Sequence, residues 1–488
     1  MNINRLGFCF VKNMKITISK GAFKILRTLK REGYEVYIVG GGVRDLLMNK
    51  SVYDWDFTTN AKPEEMLSIL KDAYYTNKFG TVGVPGKSKK ERPYEITTFR
   101  REHGYSDSRR PDKVTWGKTL EDDLCRRDFT INAMALGQAK TKSLKNRKAE
   151  KLEKPGSDLI QTSFDIIDLF QGQKDIEKKS IRAVGDPNER FWEDALRMMR
   201  AVRIASELGF EIEEKTFSAI KKNAKRLEKI SRERIRDEFL KILSSNNPDK
   251  GILTLKETGI LHYIIPEFEA NFGVQQASPG RHHIYDVGVH SLMSLKFVSP
   301  RNNNPIVRFA TLIHDIGKAF TFKKLPNGTI TFYNHEVVGA RLAKAIAERL
   351  RLSNNQKDKL WKLVRFHQFT LDERQTDSAV RRFIRNIGQE NISDMLDLRV
   401  GDRLGGGARE TSWRFEEFKE RLIEVQKQPF SIRDLKISGT DVMEALNLDS
   451  GPKVGEILTK IYNDVVSKKL KNNKDELMAH LKKSFSPK

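Results

Sequence analysis

Residues 37–59, YIVGGGVRDLLMNKSVYDWDFTT, carry the architecture of this chain. An apolar β-type run opens into three glycines, continues as a helix-like VRDLLM and ends in a run that alternates acidic with bulky apolar side chains. In an extended strand, side chains i and i+2 share a face with Cα atoms about 6.5–7 Å apart. Asp54 and Asp56 would therefore converge on one spot while Trp55 and Phe57 face the other way. Glycines let backbone amides approach an anion, and a following helix N-terminus adds a favourable dipole. The pattern places Gly41, Gly42, Arg44 and Asp45 as candidate nucleotide-binding residues. Without the glycines, a D-x-D pair is more often a solvated turn or strand edge.

A triphosphate held beside paired carboxylates needs divalent metal between them. Two ions about 3.5–4 Å apart can activate a 3′-hydroxyl and stabilise a leaving pyrophosphate, and hard oxygen ligands suit magnesium. Asp54 and Asp56 are the expected ligands, with Glu95 in YEITTF as the candidate third carboxylate from a neighbouring strand.

The bulk properties fit such chemistry. At 488 residues the chain is long enough for three or four domains. Lysine plus arginine total 89 against 65 acidic residues, a formal charge of +24, which favours a polyanion such as nucleic acid or an acidic membrane surface. Cys9 and Cys125 are far apart and fit no metal-ligand spacing. No run of roughly 18 apolar residues occurs and the N-terminal apolar run is too short for a signal peptide, so no membrane contact and a cytoplasmic location are expected. Little before Met14 looks structural, which makes Met14 a candidate start.

Residues 15 to about 137 mix β-type and helical runs, residues 138–163 are a lysine-rich insertion without apolar period, and the sheet pattern resumes at FDIIDLF. From PNERFWEDALRMMRAVR onward the pattern is helical.

Five motifs, GGGVRDLLMNKSVYDWDFTT, KFGTVGV, YEITTFRREHGYSDSRRPDKVTW, DDLCRRDFTINAMA and GDPNERFWEDALRMMRAVR, together resemble the bacterial and eukaryotic type of tRNA nucleotidyltransferase, the CCA-adding enzymes, of the polymerase-β superfamily. The resemblance implies template-independent addition of C, C and A to tRNA from CTP and ATP, with magnesium in the head and the tRNA acceptor arm as partner. Arg127, Asp128 and Asn132 of RRDFTIN would hold phosphate and ribose, the alternative being a structural salt-bridge cluster. In EDALR, Glu193, Asp194 and Arg197 would share a helix face, with an intrahelical ion pair as the plain alternative. A carboxylate at 194 can accept from the exocyclic amine of cytosine or adenine while Arg197 donates to the adjacent ring acceptor; guanine and uracil set a carbonyl against the carboxylate. Arg200 and Arg203 complete the candidate nucleotide-binding set. Residues 100–111, with Arg101, Tyr105, Arg109 and Arg110, correspond to the family's flexible loop, which argues against a CC-only enzyme but not against an A-only one. An A-adding enzyme or a poly(A) polymerase stays as the rival reading.

Five of the nine histidines fall between residues 282 and 335. Imidazole and carboxylate together suit a divalent metal, and a bound metal generates hydroxide from water at neutral pH. The order His290, His314–Asp315, His335, His367, Asp402 resembles the HD superfamily of phosphohydrolases. In that resemblance His290, His314, Asp315 and Asp402 are core ligands for magnesium, manganese, nickel or cobalt, and His335 and His367 belong to a wider or second-metal site. Lys318 could bind phosphate, and phosphoesters such as 2′,3′-cyclic phosphates would be substrates. An HD phosphohydrolase with an inactive head is the alternative of another class.

The expected organisation is multi-domain: an N-terminal extension (1–20), a mixed α/β nucleotidyltransferase head (21–185), an all-α neck and body (186–272), an α-helical HD domain (273–405) and a helical tail (406–488) contacting tRNA. The oligomeric state is not legible.

Overall fold

The computed structural model describes residues 9–77, 80–86, 92–103, 113–139, 158–276, 285–369, 376–426, 432–467 and 469–485. The chain divides into two compact units, one of residues 1–273 with 303–309 and 345–353, the other of 274–302, 310–344 and 354–488.

The first unit is built on strands β1 (Cys9–Ser19), β2 (Val36–Val39), β3 (Asp56–Thr59), β4 (Tyr74–Asn77), β5 (Thr81–Val84), β6 (Tyr94–Thr98), β7 (Arg100–His103), β8 (Lys113–Trp116), β9 (Met134–Gln138) and β10 (Leu159–Asp168). Eight of them form one sheet in the order β1-β10-β9-β2-β3-β6-β5-β4, while β7 and β8 pair separately. The sheet is mixed because β3 and β6 run parallel and the other neighbours antiparallel. Helix α1 (Lys20–Arg31) is capped by the Ser19 hydroxyl, which accepts from the Ala22 amide at 3.0 Å. It buries Phe23, Leu26 and Leu29 in the same core as Ile38, Trp55 and Phe57.

Two expectations shift. β1 starts at Cys9, ahead of Met14, because β10 gives it a pairing partner as far as Asp168. The insertion is shorter than 138–163: β9 runs to Gln138 and β10 begins at Leu159, opposite Ser19, while 140–157 lie outside the described residues.

Beyond the sheet the first unit is helical, with Pro187–Glu193, Leu196–Leu208, Glu214–Asn223, Arg232–Ser244 and Pro248–Glu257 packed around Met198, Val202, Phe239 and Ile242. In the second unit, helices Val287–Val298 and Ile392–Gly405 come into close contact. A Cβ on Gly405 would sit 2.6 Å from the Ser294 backbone nitrogen, so only glycine permits this approach. Near the C-terminus, helices Gly439–Leu446, Pro452–Val466 and Lys474–Phe485 bury their own core around Val442, Ile461 and Leu477. The DSGPKVG turn starts the second of these, with Pro452 at its first position. Among the described residues no helix is long and apolar enough to cross a membrane.

Candidate functional site

In the head, the period-2 alternation holds: Asp54 is exposed, Trp55 and Phe57 are buried, and Asp56 is partly buried between them. The strand itself begins only at Asp56, so Asp54 stands on the segment just before it rather than within an extended run. Glu95 lies directly beside Asp56, its register partner on the parallel strand β6. Burial lifts the Asp56 carboxyl to about 6; Arg127 and Arg200 oppose that rise, and the Asp54 and Glu95 charges add to it. Glu95 is pushed up by burial and by Asp54. Crowded anionic oxygens that cannot all ionise cheaply fit a hard divalent cation. The Asp54 carboxylate meanwhile accepts from Arg92 Nη1 at 2.9 Å.

Gly40 caps helix α2 (Gly41–Leu47) at φ 78°, and a Cβ there would meet Asp56 Oδ2 at 2.9 Å. Gly40 thus gives the carboxylate its room, a role that the sequence reading assigned to none of the glycines. Gly41 and Gly42 open α2, and Arg44 on it donates to Asp45 and, at 2.9 Å, to Asn132.

Beside this lies a cleft of about 290 Å³ lined by Arg126, Arg127, Asp128, Asp194, Arg197, Arg200 and Arg234. Six candidates from RRDFTIN and EDALR were Arg127, Asp128, Asn132, Glu193, Asp194 and Arg197; four of them line it. Asp128 receives two hydrogen bonds from Arg200. Burial alone would raise its carboxyl, but Arg200 and Arg197 hold it at about 2. Asn132 donates to Asp128 at 3.4 Å. Arg127 pairs with buried Asp123.

EDALR does not lie on one helix. Glu193 ends Pro187–Glu193, Asp194 is extended at φ −142°, and Arg197 belongs to the next helix, Leu196–Leu208. The break is held by Asp194 itself: one oxygen accepts from the Leu196 amide at 3.0 Å and the other from Arg234 at 2.7 Å. Glu193 and Arg197 do form the ion pair, and Arg197 also donates to the Arg126 carbonyl. Arg203 is not part of the cleft; Glu238 and Glu207 take its guanidinium. Arg126 and Arg234 were missed, and for Arg234 only the tertiary fold brings residue 234 to residue 194. Arg101 pairs with Asp122, whereas Tyr105, Arg109 and Arg110 lie outside the described residues.

The second unit brings all six HD candidates together as two groups of three, His290, His314 and Asp402, and Asp315, His335 and His367. Asp315 faces both. Its Oδ2 is 3.3 Å from His314 Nε2 and 3.5 Å from His290 Nε2, and its Oδ1 is 3.3 Å from His335 and 3.5 Å from His367. Nδ1 of His314, His335 and His367 each faces a backbone carbonyl, of Thr311, Phe332 and Val364. That fixes Nε2 toward the centre, where the rings of each pair meet at 3.3 Å. Converging ring nitrogens with carboxylates between them are a fitting donor set for divalent transition metals. Burial opposes charge on His314, but Asp315 and Asp402 outweigh it and lift its pKa to about 10. Burial likewise opposes charge on Asp315 and Asp402, yet the facing imidazoles, with Lys318 at Asp315, hold both well below the usual carboxylate range. A cavity of about 500 Å³ opens over this cluster. Lys318 lines it but is engaged by Asp315 at 2.6 Å and Gln276 at 2.7 Å. Arg399, absent from the sequence reading, donates to Asp402 at 2.9 Å.

Three family models match: the poly A polymerase head domain at residues 36–182, a probable RNA and SrmB-binding site of polymerase A at 209–272, and a putative tRNA nucleotidyltransferase domain 2 at 334–481. The chain is 33% identical to the CCA-adding enzyme of Enterococcus faecalis, covering 97% of this chain and 99% of that one. It is 32% identical to that of Pediococcus pentosaceus, over 92% and 93%. Among solved structures, the Bacillus stearothermophilus CCA-adding enzyme in complex with CTP aligns with a TM-score of 0.64 and 28% identity, covering 95% of this chain and 96% of that one. Near-complete alignment at this identity, over a head that sets Asp56 beside Glu95, places the chain in the family of CCA-adding enzymes.

Proposed function

We propose that this protein adds C, C and A to the 3′ end of tRNA from CTP and ATP without a nucleic-acid template, in the cytoplasm. The observation that carries the reading is the cleft in which Asp194 and Arg197 stand beside Arg127, Asp128 and Arg200. Asp54, Asp56 and Glu95 would hold magnesium, which when bound activates the terminal hydroxyl toward the α-phosphate and stabilises pyrophosphate. Arg127 and Arg44, beside Gly40 and Gly41, would meet the triphosphate, and Asp128 with Asn132 would receive ribose hydroxyls. Asp194, turned out of the helix, would accept from the amine of cytosine or adenine, and Arg197 would donate beside it; guanine and uracil would meet acceptor against acceptor. Asp194 keeps Arg234 on one oxygen and has acceptor positions left for the base, and Arg197 carries donors beyond those used by Glu193 and the Arg126 carbonyl. The basic excess would bind the acceptor arm through phosphates, by shape rather than sequence. Purified protein, magnesium and tRNA transcripts lacking CCA, ending in CC, or complete, offered CTP and ATP singly and together, test this. Addition of C, C, A and then arrest is the expected result; addition of A alone to the CC end, or long A tails, would replace it with the A-adding or poly(A) reading.

A second activity is favoured by the twofold donor set around Asp315. The six side chains would bind magnesium, manganese, nickel or cobalt, and a divalent ion there lowers the pKa of water and polarises a phosphoester. Lys318 is placed to orient Asp315, and Arg399 to orient Asp402, rather than to meet substrate first. Metal-stimulated hydrolysis of 2′,3′-cyclic phosphates that is lost in His314→Ala while nucleotide addition persists is the expected result.

A further inference from the structure

The cavity over the His and Asp cluster does not end there. A second one, of about 700 Å³, adjoins it and shares Gln368 and Arg399 as common wall. Among the described residues its lining carries three arginines, Arg399, Arg403 and Arg414, one exposed indole, Trp413, and no carboxylate. Arg399 has one hydrogen-bonded edge on Asp402, while its buried Nε finds no acceptor among the described residues. Arg403 donates to the backbone oxygens of Arg409 and Thr411, both neutral acceptors. Trp413 is 60% exposed at the start of its helix, with the Arg414 guanidinium 5.1 Å from the ring centre.

Phosphate-length arginines around an open aromatic face are the chemistry of a nucleotide site: the base stacks on the ring and the phosphate oxygens meet the guanidinium groups. An inorganic phosphate or a phosphorylated side chain would leave the indole without a role. We propose that this second cavity is the nucleoside subsite of the His and Asp centre, with Trp413 stacking on the base and Arg403 and Arg414 neutralising phosphate. The inference rests on the phosphohydrolase reading above and assigns the side chains that would hold the nucleoside of its substrate. In the reaction, a water oxygen bonds to phosphorus, one ribose P–O bond breaks, and the departing ribose oxygen takes a proton. A free nucleoside 2′,3′-cyclic phosphate and an RNA strand ending in one present the same chemistry, and both are tested.

The experiment compares wild type, Trp413→Ala and Arg403→Gln on adenosine 2′,3′-cyclic phosphate, on a short oligonucleotide ending in that group, and on bis-p-nitrophenyl phosphate, which has no base. The expected result is a fall of roughly 5- to 150-fold in Trp413→Ala in the ratio of kcat/KM for the nucleotide to that for the base-free probe. A larger fall for the oligonucleotide assigns the subsite to RNA ends, an equal fall to mononucleotides. A second readout needs no turnover. In protein carrying 5-fluorotryptophan and no divalent metal, the fluorine resonance missing from Trp413→Phe should shift saturably with adenosine 2′-monophosphate and not with inorganic phosphate. Unchanged selectivity in Trp413→Ala, with both substrates cleaved, overturns the subsite and leaves the phosphohydrolase reading standing. No cleavage of any probe with magnesium, manganese, nickel or cobalt overturns both.

Discussion

Arg200 grips Asp128 through Nε and Nη2, at 2.8 and 2.6 Å, across 72 residues of chain. This pair ties the RRDFTIN loop of the head to helix Leu196–Leu208 and so sets the cleft between them.

Arg200→Ala leaves a buried carboxylate with only the Phe129 amide and Asn132 as donors among the described residues and should cost about 1–3 kcal/mol at neutral pH. Because the folded Asp128 pKa is depressed to about 2, the stabilisation is complete above the unfolded carboxylate range and is lost as pH falls through about 2. The gap between wild type and variant in urea midpoints should therefore be full at pH 7 and narrow below pH 4. Equal midpoints at pH 7 would show that the pair contributes nothing to the fold.

Asp56 has the opposite sign. Its folded pKa is raised to about 6, so without metal its contribution is favourable at low pH and is lost as pH rises through 6. Asp56→Asn should stabilise the metal-free protein by about 2–3 kcal/mol at pH 7.5 and by little at pH 4, while abolishing nucleotide addition. In wild type, the magnesium concentration needed for half-maximal addition should rise below pH 6. A pH-independent magnesium requirement between 5 and 7.5 would argue that Asp56 is not a ligand.

Removing Asp194 or Arg197 should relax the choice of nucleotide. Arg234→Ala should act more mildly, lowering discrimination of CTP over UTP about 10-fold, since one charged hydrogen bond that orients Asp194 is lost. Single-turnover addition with each nucleotide checks this, and unaltered rejection of UTP and GTP in Asp194→Ala would defeat the base-reading role.

For the second unit, Asp315→Ala should remove both equivalents of bound divalent metal, because its two oxygens serve the two groups, whereas His335→Ala should remove one. Uptake at pH 7 should release a proton, the one that Asp315 and Asp402 hold on His314. Metal content after dialysis and calorimetry in buffers of different ionisation enthalpy measure the two quantities; one equivalent in wild type would mean a single centre.

What was legible in the chain follows the range of the interactions. The alternation Asp54, Trp55, Asp56, Phe57 is a local period of 2, and it survives into the structure even though the strand starts only at Asp56. The set of His and Asp residues was legible because the donor types are few. That His335 and His367 stand apart from His290, His314 and Asp402 was legible too; the place of Asp315 between the two groups was not, since it depends on its two oxygens facing opposite pairs of rings. EDALR was read as continuous helix because its spacing permits one; at the break one Asp194 oxygen takes the nearby Leu196 amide and the other Arg234, forty residues away in sequence and beyond any periodicity. Arg203 was drawn into the site by its neighbours in the motif, while Glu238 and Glu207 hold it elsewhere.

The parallel register that sets Asp56 opposite Glu95 makes the separation of the two carboxylates a property of the backbone ladder, not of loop placement. A slip of one residue between these strands would turn Glu95 to the far face of the sheet and leave Tyr94 or Ile96 beside Asp56. Misfolding by a single register step would thus yield a sheet with nearly the same hydrogen bonds and no metal ligand pair. Selection for chemistry and selection for correct strand alignment act here on the same residues, and a mutation that loosens the alignment should be visible first as lost turnover rather than as lost structure.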